Sequence, residues 1–481
     1  MAHAPMTITT INPIQFGTDG WRGVIAADFT FDRVMTVAPI AAQVLSEVYG
    51  QETGSNTVIV GYDRRFLSEE FARTAAESIR KVGFDILFSE GFAPTPAFSW
   101  AAKKLNALGA IVITASHNPG NYSGLKVKSA HGGSVPPEVT KKIEALLAKN
   151  EPAAEKTPGT FTTFDPWESY CEGLRSLVDT TAIKSAIEQG KITVFADVMH
   201  GAAATGLARL IGTEIHELNS DRDPLFEGGA PEPLPKYLPK ILQTIQNFDG
   251  NSLAVGLVFD GDADRVGAVD AKGNFLSSQI LIPILLEHLV NKGFTGEFVK
   301  TVSGSDLMPL VAKLYGLPVY ETPIGYKYIG DRMLETKVLL GGEESGGIGY
   351  GHHIPERDAL LSALYVLETV VQTGTDLGEL YRRLQEKTGF LAEYDRIDLP
   401  LASMEVRAKL LDQLKTQPPQ LIAGKAVVSC QTDDGYKFRL EDQSWLLIRF
   451  SGTEPVLRLY CEASSIEQVH QTLNWAKDWA S

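Results

Sequence analysis

The sequence predicts an α/β protein made of three similar mixed α/β units and a smaller C-terminal α+β unit. Three observations lead there. Apolar, β-branched runs alternate with amphipathic stretches over most of the chain, the pattern of strand–helix–strand units with parallel sheets. Residues 391–481 break that rhythm, placing four hairpin-ordered strands between two helices. The length, 481 residues, suits about three or four hydrophobic cores rather than one.

The first unit is taken as residues 1–163. Its expected strands are Thr57–Val60, Phe84–Phe88 and Ala110–Thr114, and its helices Phe31–Tyr49, Ser68–Val82 and Pro96–Leu105. The stretch Glu151–Thr163, rich in Pro, Ala and Thr, reads as a linker. The second unit, 164–275, opens on the strand Ile192–Ala196 and closes with Leu253–Phe259. The third, 276–390, runs from the helix Gln279–Leu289 through strands Phe298–Val302, Val319–Glu321 and Val338–Leu340 to helices Asp358–Gln372 and Leu377–Lys387. In the fourth, 391–481, the helix Met404–Leu414 precedes strands near Ala426–Cys430, Lys437–Leu440, Trp445–Phe450 and Val456–Glu462, and the helix Ile466–Trp479 ends the unit.

Composition narrows the function. With 44 Lys+Arg against 59 Asp+Glu the formal charge is −15, which argues against nucleic acid and anionic membrane as partners. A hydrophobic content of 44% supplies packed cores and excludes a disordered chain. Met1–Thr10 lacks the charged and apolar regions of an export signal, and the run Ile280–Val290 is interrupted by Pro283, Glu287 and His288, so neither secretion nor a membrane span is expected. Cys171, Cys430 and Cys461 form no CxxC pair, and three buried thiols in a reducing cytoplasm are expected.

Four stretches carry chemistry, each following an apolar strand or lying within a hairpin. In Thr114-Ala115-Ser116-His117-Asn118-Pro119, Ser116 can act as a nucleophile with His117 beside it; the bland reading is a polar turn whose serine caps a helix. Lys126, ten residues on, can supply a proton or neutralise a phosphate. In Asp260-Gly261-Asp262-Ala263-Asp264-Arg265, an extended backbone would project three carboxylates to one side, where they repel unless a hard cation such as Mg²⁺ joins them. Gly341 to Gly347 offers Glu343 and Ser345 to sugar hydroxyls. Arg449-Phe450-Ser451-Gly452-Thr453 combines a charged fork, hydroxyls and turn amides, which suits a phosphate monoester. Two further turns, Phe16 to Gly23 with Arg22 and Gly325-Tyr326-Lys327, add cations. No P-loop, GxGxxG or HExxH occurs, so phosphate chemistry without a nucleotide loop is what remains.

Together, FGTDGWRG (Phe16 to Gly23), TASHNP (Thr114 to Pro119), DGDADR (Asp260 to Arg265), GEESGG (Gly342 to Gly347) and RFSGTEP (Arg449 to Pro455), in this order, resemble the α-D-phosphohexomutase superfamily over nearly the whole chain. The resemblance implies a heart-shaped molecule in which each domain lends one loop to a central cleft. It implies that Ser116 carries a phosphoryl group and joins Asp260, Asp262 and Asp264 around Mg²⁺, with Arg265 in support. Arg22 and Lys126 are then the candidates for proton transfer, His117 follows the phosphoserine in the catalytic set, Lys327, Glu343 and Ser345 contact the sugar, and Arg449, Ser451, Gly452 and Thr453 grip the non-reacting phosphate. The implied activity is interconversion of glucose 1-phosphate and glucose 6-phosphate through glucose 1,6-bisphosphate, in a cytoplasmic monomer or homodimer. Glucose comes first because Gly347 stands where mannose- and glucosamine-handling members usually show a histidine. The alternatives are a phosphomannomutase or phosphoglucosamine mutase, a glucose 1,6-bisphosphate synthase that releases the intermediate, and a non-catalytic sugar-phosphate sensor.

Overall fold

In the computed structural model, residues 13–17, 19–149, 151, 153–451 and 455–480 are described. β-Branched and apolar runs form four sheets, one per unit. The first has seven strands in the order Phe16–Gly17, Gly20–Val24, Tyr122–Ser129, Gly109–Ile113, Thr57–Tyr62, Asp85–Ser89 and Phe161–Phe164. Thr57–Tyr62 lies at the centre of its parallel part, between Gly109–Ile113 and Asp85–Ser89, and Tyr122–Ser129 returns antiparallel to Gly109–Ile113. The second and third sheets, of five and four strands, each combine parallel central pairs with an antiparallel return. The fourth is a six-stranded antiparallel sheet ordered Glu393–Pro400, Val456–Ala463, Trp445–Phe450, Tyr436–Leu440, Lys425–Gln431 and Leu421–Ile422. The predicted fold class therefore holds.

Two expectations are corrected. Part of the Glu151–Thr163 segment is not a linker: Phe161–Phe164 adds a parallel edge strand beside Asp85–Ser89, because Phe161 and Phe164 pack against the apolar clusters while Thr162 and Thr163 stay exposed, which suits a half-covered sheet edge better than a tether. Cys171 and Cys461 are buried as expected, but Cys430 is exposed, lying in Lys425–Gln431, whose 428–430 stretch faces solvent.

The first unit has a core of its own around Val37, Ile79 and Ile113, but the first three units also share one. One apolar cluster runs from Ile59 through Tyr170, Leu257 and Leu285 to Leu384, crossing all three, so they are expected to resist relative motion. The fourth unit has its own core around Leu414, Phe438, Ile448 and Leu473. It meets the third through a small cluster of Val302, Trp445, Leu447 and Tyr460.

At that junction Lys437 donates to the Val302 carbonyl at 2.7 Å and lies 4.1 Å from the centre of the Trp445 ring. Burial, reinforced by nearby Lys300, pushes the ammonium down to about 7, against the pull of Asp306 and Glu321. The unfolded chain holds this proton up to its ordinary pKa of 10.5, so between the two values folding expels a proton and stability rises with pH. Wild type should gain about 3–5 kcal/mol of unfolding free energy from this group between pH 7 and pH 10. Urea titrations at the two pH values check this: Lys437→Met should lose that share of the rise, and an equal rise in both proteins would contradict the assignment.

Candidate active site

The strand Gly109–Ile113 ends where the chain must turn back into Tyr122–Ser129, and Ser116 lies in that connection with φ +52°. A non-glycine residue in the left-handed region is held there by its surroundings rather than by local preference. No helix follows, so Ser116 is not a helix cap. Its hydroxyl donates to Asp260 Oδ2 at 2.9 Å and lies 3.4 Å from His117 Nδ1. Burial, followed by Arg265 and Arg22, holds His117 well below the usual imidazole range, so it is neutral at pH 7. Arg22 Nη1 donates to Asn118 Oδ1 at 2.6 Å, which ties this cation to the same loop.

Asp260, Asp262 and Asp264 do converge, but not on an extended strand. The segment turns tightly, with Ala263 at φ +54°, and Asp260 Oδ1 accepts the Asp264 and Arg265 amides at 3.0 and 3.2 Å. The backbone bends because a carboxylate that accepts its own loop's amides stabilises a turn over a strand. All three side chains are fully buried, and one oxygen from each lies within 4.8 Å of the others. Burial, together with Asp264 and Asp262, drives Asp260 well above the carboxylate range.

The charge is balanced by cations from other strands. Lys126 Nζ sits 2.7 Å from Asp19, 2.8 Å from Asp262 and 2.9 Å from Asp264. Burial opposes its charge, but these carboxylates outweigh it and hold Lys126 well above its ordinary range. Arg357, from the third unit, donates to Asp264 at 2.7 Å and to Asp19 at 2.9 Å. Lys128 pairs with Asp19 and Glu356. Even so, among the described residues Asp262 Oδ1 and Asp264 Oδ1 are buried without a hydrogen-bond partner. Orphaned hard oxygens beside Asp260 fit a small divalent cation such as Mg²⁺, which takes one or two carboxylates and keeps positions for other oxygen ligands.

These groups border a cleft of about 710 Å³. The first unit contributes Arg22 and His117 to its lining, and the second contributes Arg265. Lys327, Glu343 and Ser345 come from the third and Arg449 from the fourth. Ser116 and Lys126, both 1% exposed, lie beneath the surface these groups form. Burial raises Glu343 to about 7 although Arg357 opposes the shift. Arg449 Nε donates to Asp434 Oδ1 at 2.9 Å. Ser451 is buried, accepts Arg407 Nε on its carbonyl at 2.7 Å, and is not part of the lining. Gly452 and Thr453 lie outside the described residues.

Sequence reasoning missed Asp19, Arg357, Arg396 and Arg458, which the cleft also presents. Asp19 and Arg458 stood inside or beside quoted motifs without a role. For Arg357 a signal existed: Glu356-Arg357-Asp358 is a charged triplet directly before the apolar helix Ala359–Thr373, and consecutive charges at the mouth of a buried helix need partners.

Comparison with known proteins adds to this geometry. Residues 13–154, 168–273 and 277–388 match the phosphoglucomutase/phosphomannomutase alpha/beta/alpha domains I, II and III, and residues 403–474 match the C-terminal domain of the same family. A solved structure from Thermus thermophilus, provisionally described as a phosphomannomutase, superposes with a TM-score of 0.83 at 35% identity, covering 98% of this chain and 99% of that one. A phosphoglucomutase/phosphomannomutase of Thermococcus kodakarensis is 29% identical over 95% of this chain and 96% of its own length. A phosphoglucosamine/phosphogalactosamine mutase of Sulfurisphaera tokodaii is also 29% identical, over 96% and 98%.

Proposed function

Since this chain belongs to the phosphoglucomutase/phosphomannomutase family, we propose that it is a phosphohexomutase that moves a phosphoryl group between C1 and C6 of hexose phosphates through a phosphorylated Ser116. The observation that carries the reading is the cleft itself: a serine hydrogen-bonded to a buried carboxylate lies below one wall, and the cations Lys327, Arg449 and Arg458 line the same space.

Phosphorylated Ser116 gives its phosphoryl group to the free hydroxyl of a hexose monophosphate. The bond from phosphorus to Ser116 Oγ breaks, a bond to the sugar oxygen forms, and the hydroxyl proton leaves to a base. The resulting 1,6-bisphosphate turns over in the cleft and returns its other phosphate to Ser116. His117, neutral beside Ser116, leaves a ring nitrogen near the reacting oxygen, whereas Lys126, held charged by three carboxylates, acts as counter-charge. Asp260, Asp262 and Asp264 would hold Mg²⁺, which when bound offsets the charge on the transferring oxygens. Arg449 and Arg458 offer forked donors to the phosphate that does not react, while Glu343 and Ser345 face the sugar hydroxyls. Enclosure in the cleft limits hydrolysis of the phosphoserine.

The sugar is better read broadly than as glucose alone. The relatives above carry names that span glucose, mannose, glucosamine and galactosamine phosphates, which favours activity on mannose and glucosamine phosphates over the glucose-first expectation built on Gly347. A side chain at position 347 would meet Arg357 and the Glu343 carboxylate, so here Arg357 occupies the space that a histidine would need.

³¹P NMR of the protein with each hexose 1-phosphate, Mg²⁺ and a trace of the matching 1,6-bisphosphate tests the reading. Rapid appearance of the 6-phosphates is expected, with kcat/KM for mannose or glucosamine at least comparable to that for glucose. Turnover of glucose alone would restore the narrower specificity, and accumulation of bisphosphate without interconversion would replace the mutase by a synthase. Chelation of divalent cations should abolish turnover, and undiminished activity with excess EDTA would remove the metal assignment.

A further inference from the structure

We infer that Arg65, which lines no part of the cleft, is the positioning residue that shapes the Ser116 loop, and that Arg222 of the second unit completes its hold. The inference rests on Ser116 being the phosphoryl carrier.

Arg65 is fully buried, and its guanidinium is surrounded by carbonyls of a single segment. Nη2 donates to Ser116 O at 2.5 Å and Asn118 O at 2.6 Å, while Nη1 donates to Pro119 O at 3.0 Å and Tyr122 O at 3.2 Å. The four terminal N–H groups thus meet four carbonyls of the connection that carries the serine. Asp63 supplies the counter-charge, with Oδ2 3.3 Å from Arg65 Nε, and is itself fixed by Ser68 Oγ at 2.6 Å. Only a planar fork can serve four acceptors in this way; an ammonium has three donors and no plane. The left-handed φ of Ser116 needs such over-determination, because the local preference of the chain opposes it.

The second unit closes over the same arginine. Arg222 donates to the Arg64 and Arg65 carbonyls at 3.0 and 2.8 Å, Arg64 Nη1 donates to Ser220 O at 2.7 Å, and the Phe226 ring lies 4.8 Å from the Arg65 guanidinium carbon. Asp260, the partner of the Ser116 hydroxyl, also belongs to the second unit. The nucleophile and its carboxylate are therefore held in register through one buried fork.

The test measures phosphoryl incorporation into the protein from labelled glucose 1,6-bisphosphate, together with kcat and KM for hexose phosphate interconversion. In Arg65→Lys, which keeps the charge and loses the fork, kcat should fall about 100-fold, the effect expected of a misplacement of about 1 Å. KM should stay within about threefold, since Arg65 meets no substrate. In Arg65→Ala, added guanidinium should restore part of kcat, and sodium at the same ionic strength should not. Wild-type kcat in Arg65→Lys, or a loss carried by KM, overturns the inference. If neither Arg65 variant folds, Arg222→Met, exposed on the surface, is read in the same assay: a several-fold fall in kcat at constant KM is expected, and an unchanged kcat overturns it. Wild-type protein that accepts no label at Ser116 would instead remove the phosphoserine reading, so the two failures are separable.

Discussion

Ser116→Ala is expected to lower turnover by about 10⁴-fold or more, the scale of losing a covalent nucleophile, while leaving the fold in place. The Ser116 hydroxyl meets Asp260 and His117, and the loop around it is fixed through backbone carbonyls that alanine retains. Alanine at φ +52° is hardly worse placed than serine, because both carry a Cβ. The variant should bind hexose phosphates with near-native affinity, since the cations that face the cleft are untouched. Steady-state assay with added 1,6-bisphosphate decides it, and retained turnover would move the phosphoryl carrier to another residue.

The second large effect is one of stability. In Lys126→Met the metal-free protein is expected to lose about 3–5 kcal/mol, because removing one partner of a buried ionic cluster leaves charges unpaired. Asp19, Asp262 and Asp264 all lie within 2.9 Å of the ammonium that is removed, after which Arg357 and Lys128 still face Asp19 and Arg357 still faces Asp264. Mg²⁺ should recover part of the loss, since a cation that binds the folded carboxylates stabilises by mass action. Urea unfolding with and without Mg²⁺ reads both effects. An unchanged midpoint in the metal-free variant would mean that Lys126 does not balance these acids, and equal stabilisation of wild type and variant by Mg²⁺ would separate the lysine from the metal site.

What could be read before the structure was mostly what is contiguous in the chain. Strands such as Leu253–Phe259 and helices such as Ile466–Trp479 declare themselves by composition and period, and the three acids of 260–264 announce a site because like charges so close require a cation. The way they converge was not legible. Spacing by two suggested a straight strand, whereas amides of Asp264 and Arg265 bonded to Asp260 make a turn. Residues that act alone in sequence were missed for the same reason. Arg65 sits in Tyr62-Asp63-Arg64-Arg65-Phe66, which reads as a surface turn, and only the packing of two loops separated by some fifty residues, as in the Arg65 to Ser116 bond, turns it into a buried fork. The charged triplet around Arg357 signals that it needs partners, but which partners, Asp19 and Asp264, is settled only where three units meet.

The strand Phe161–Phe164 carries a consequence for how this protein can be divided. Its carbonyls accept from the neighbouring strand and its continuation, with Ile86 N donating to Thr160 O and Glu90 N to Phe164 O. A fragment cut at residue 154, where the match to the first family domain stops, would keep its serine loop but lose this cover. The bared edge, running through Ile86, Leu87 and Phe88, could then pair with another copy of itself, so such a fragment should precipitate, whereas one extended past Phe164 should stay dispersed.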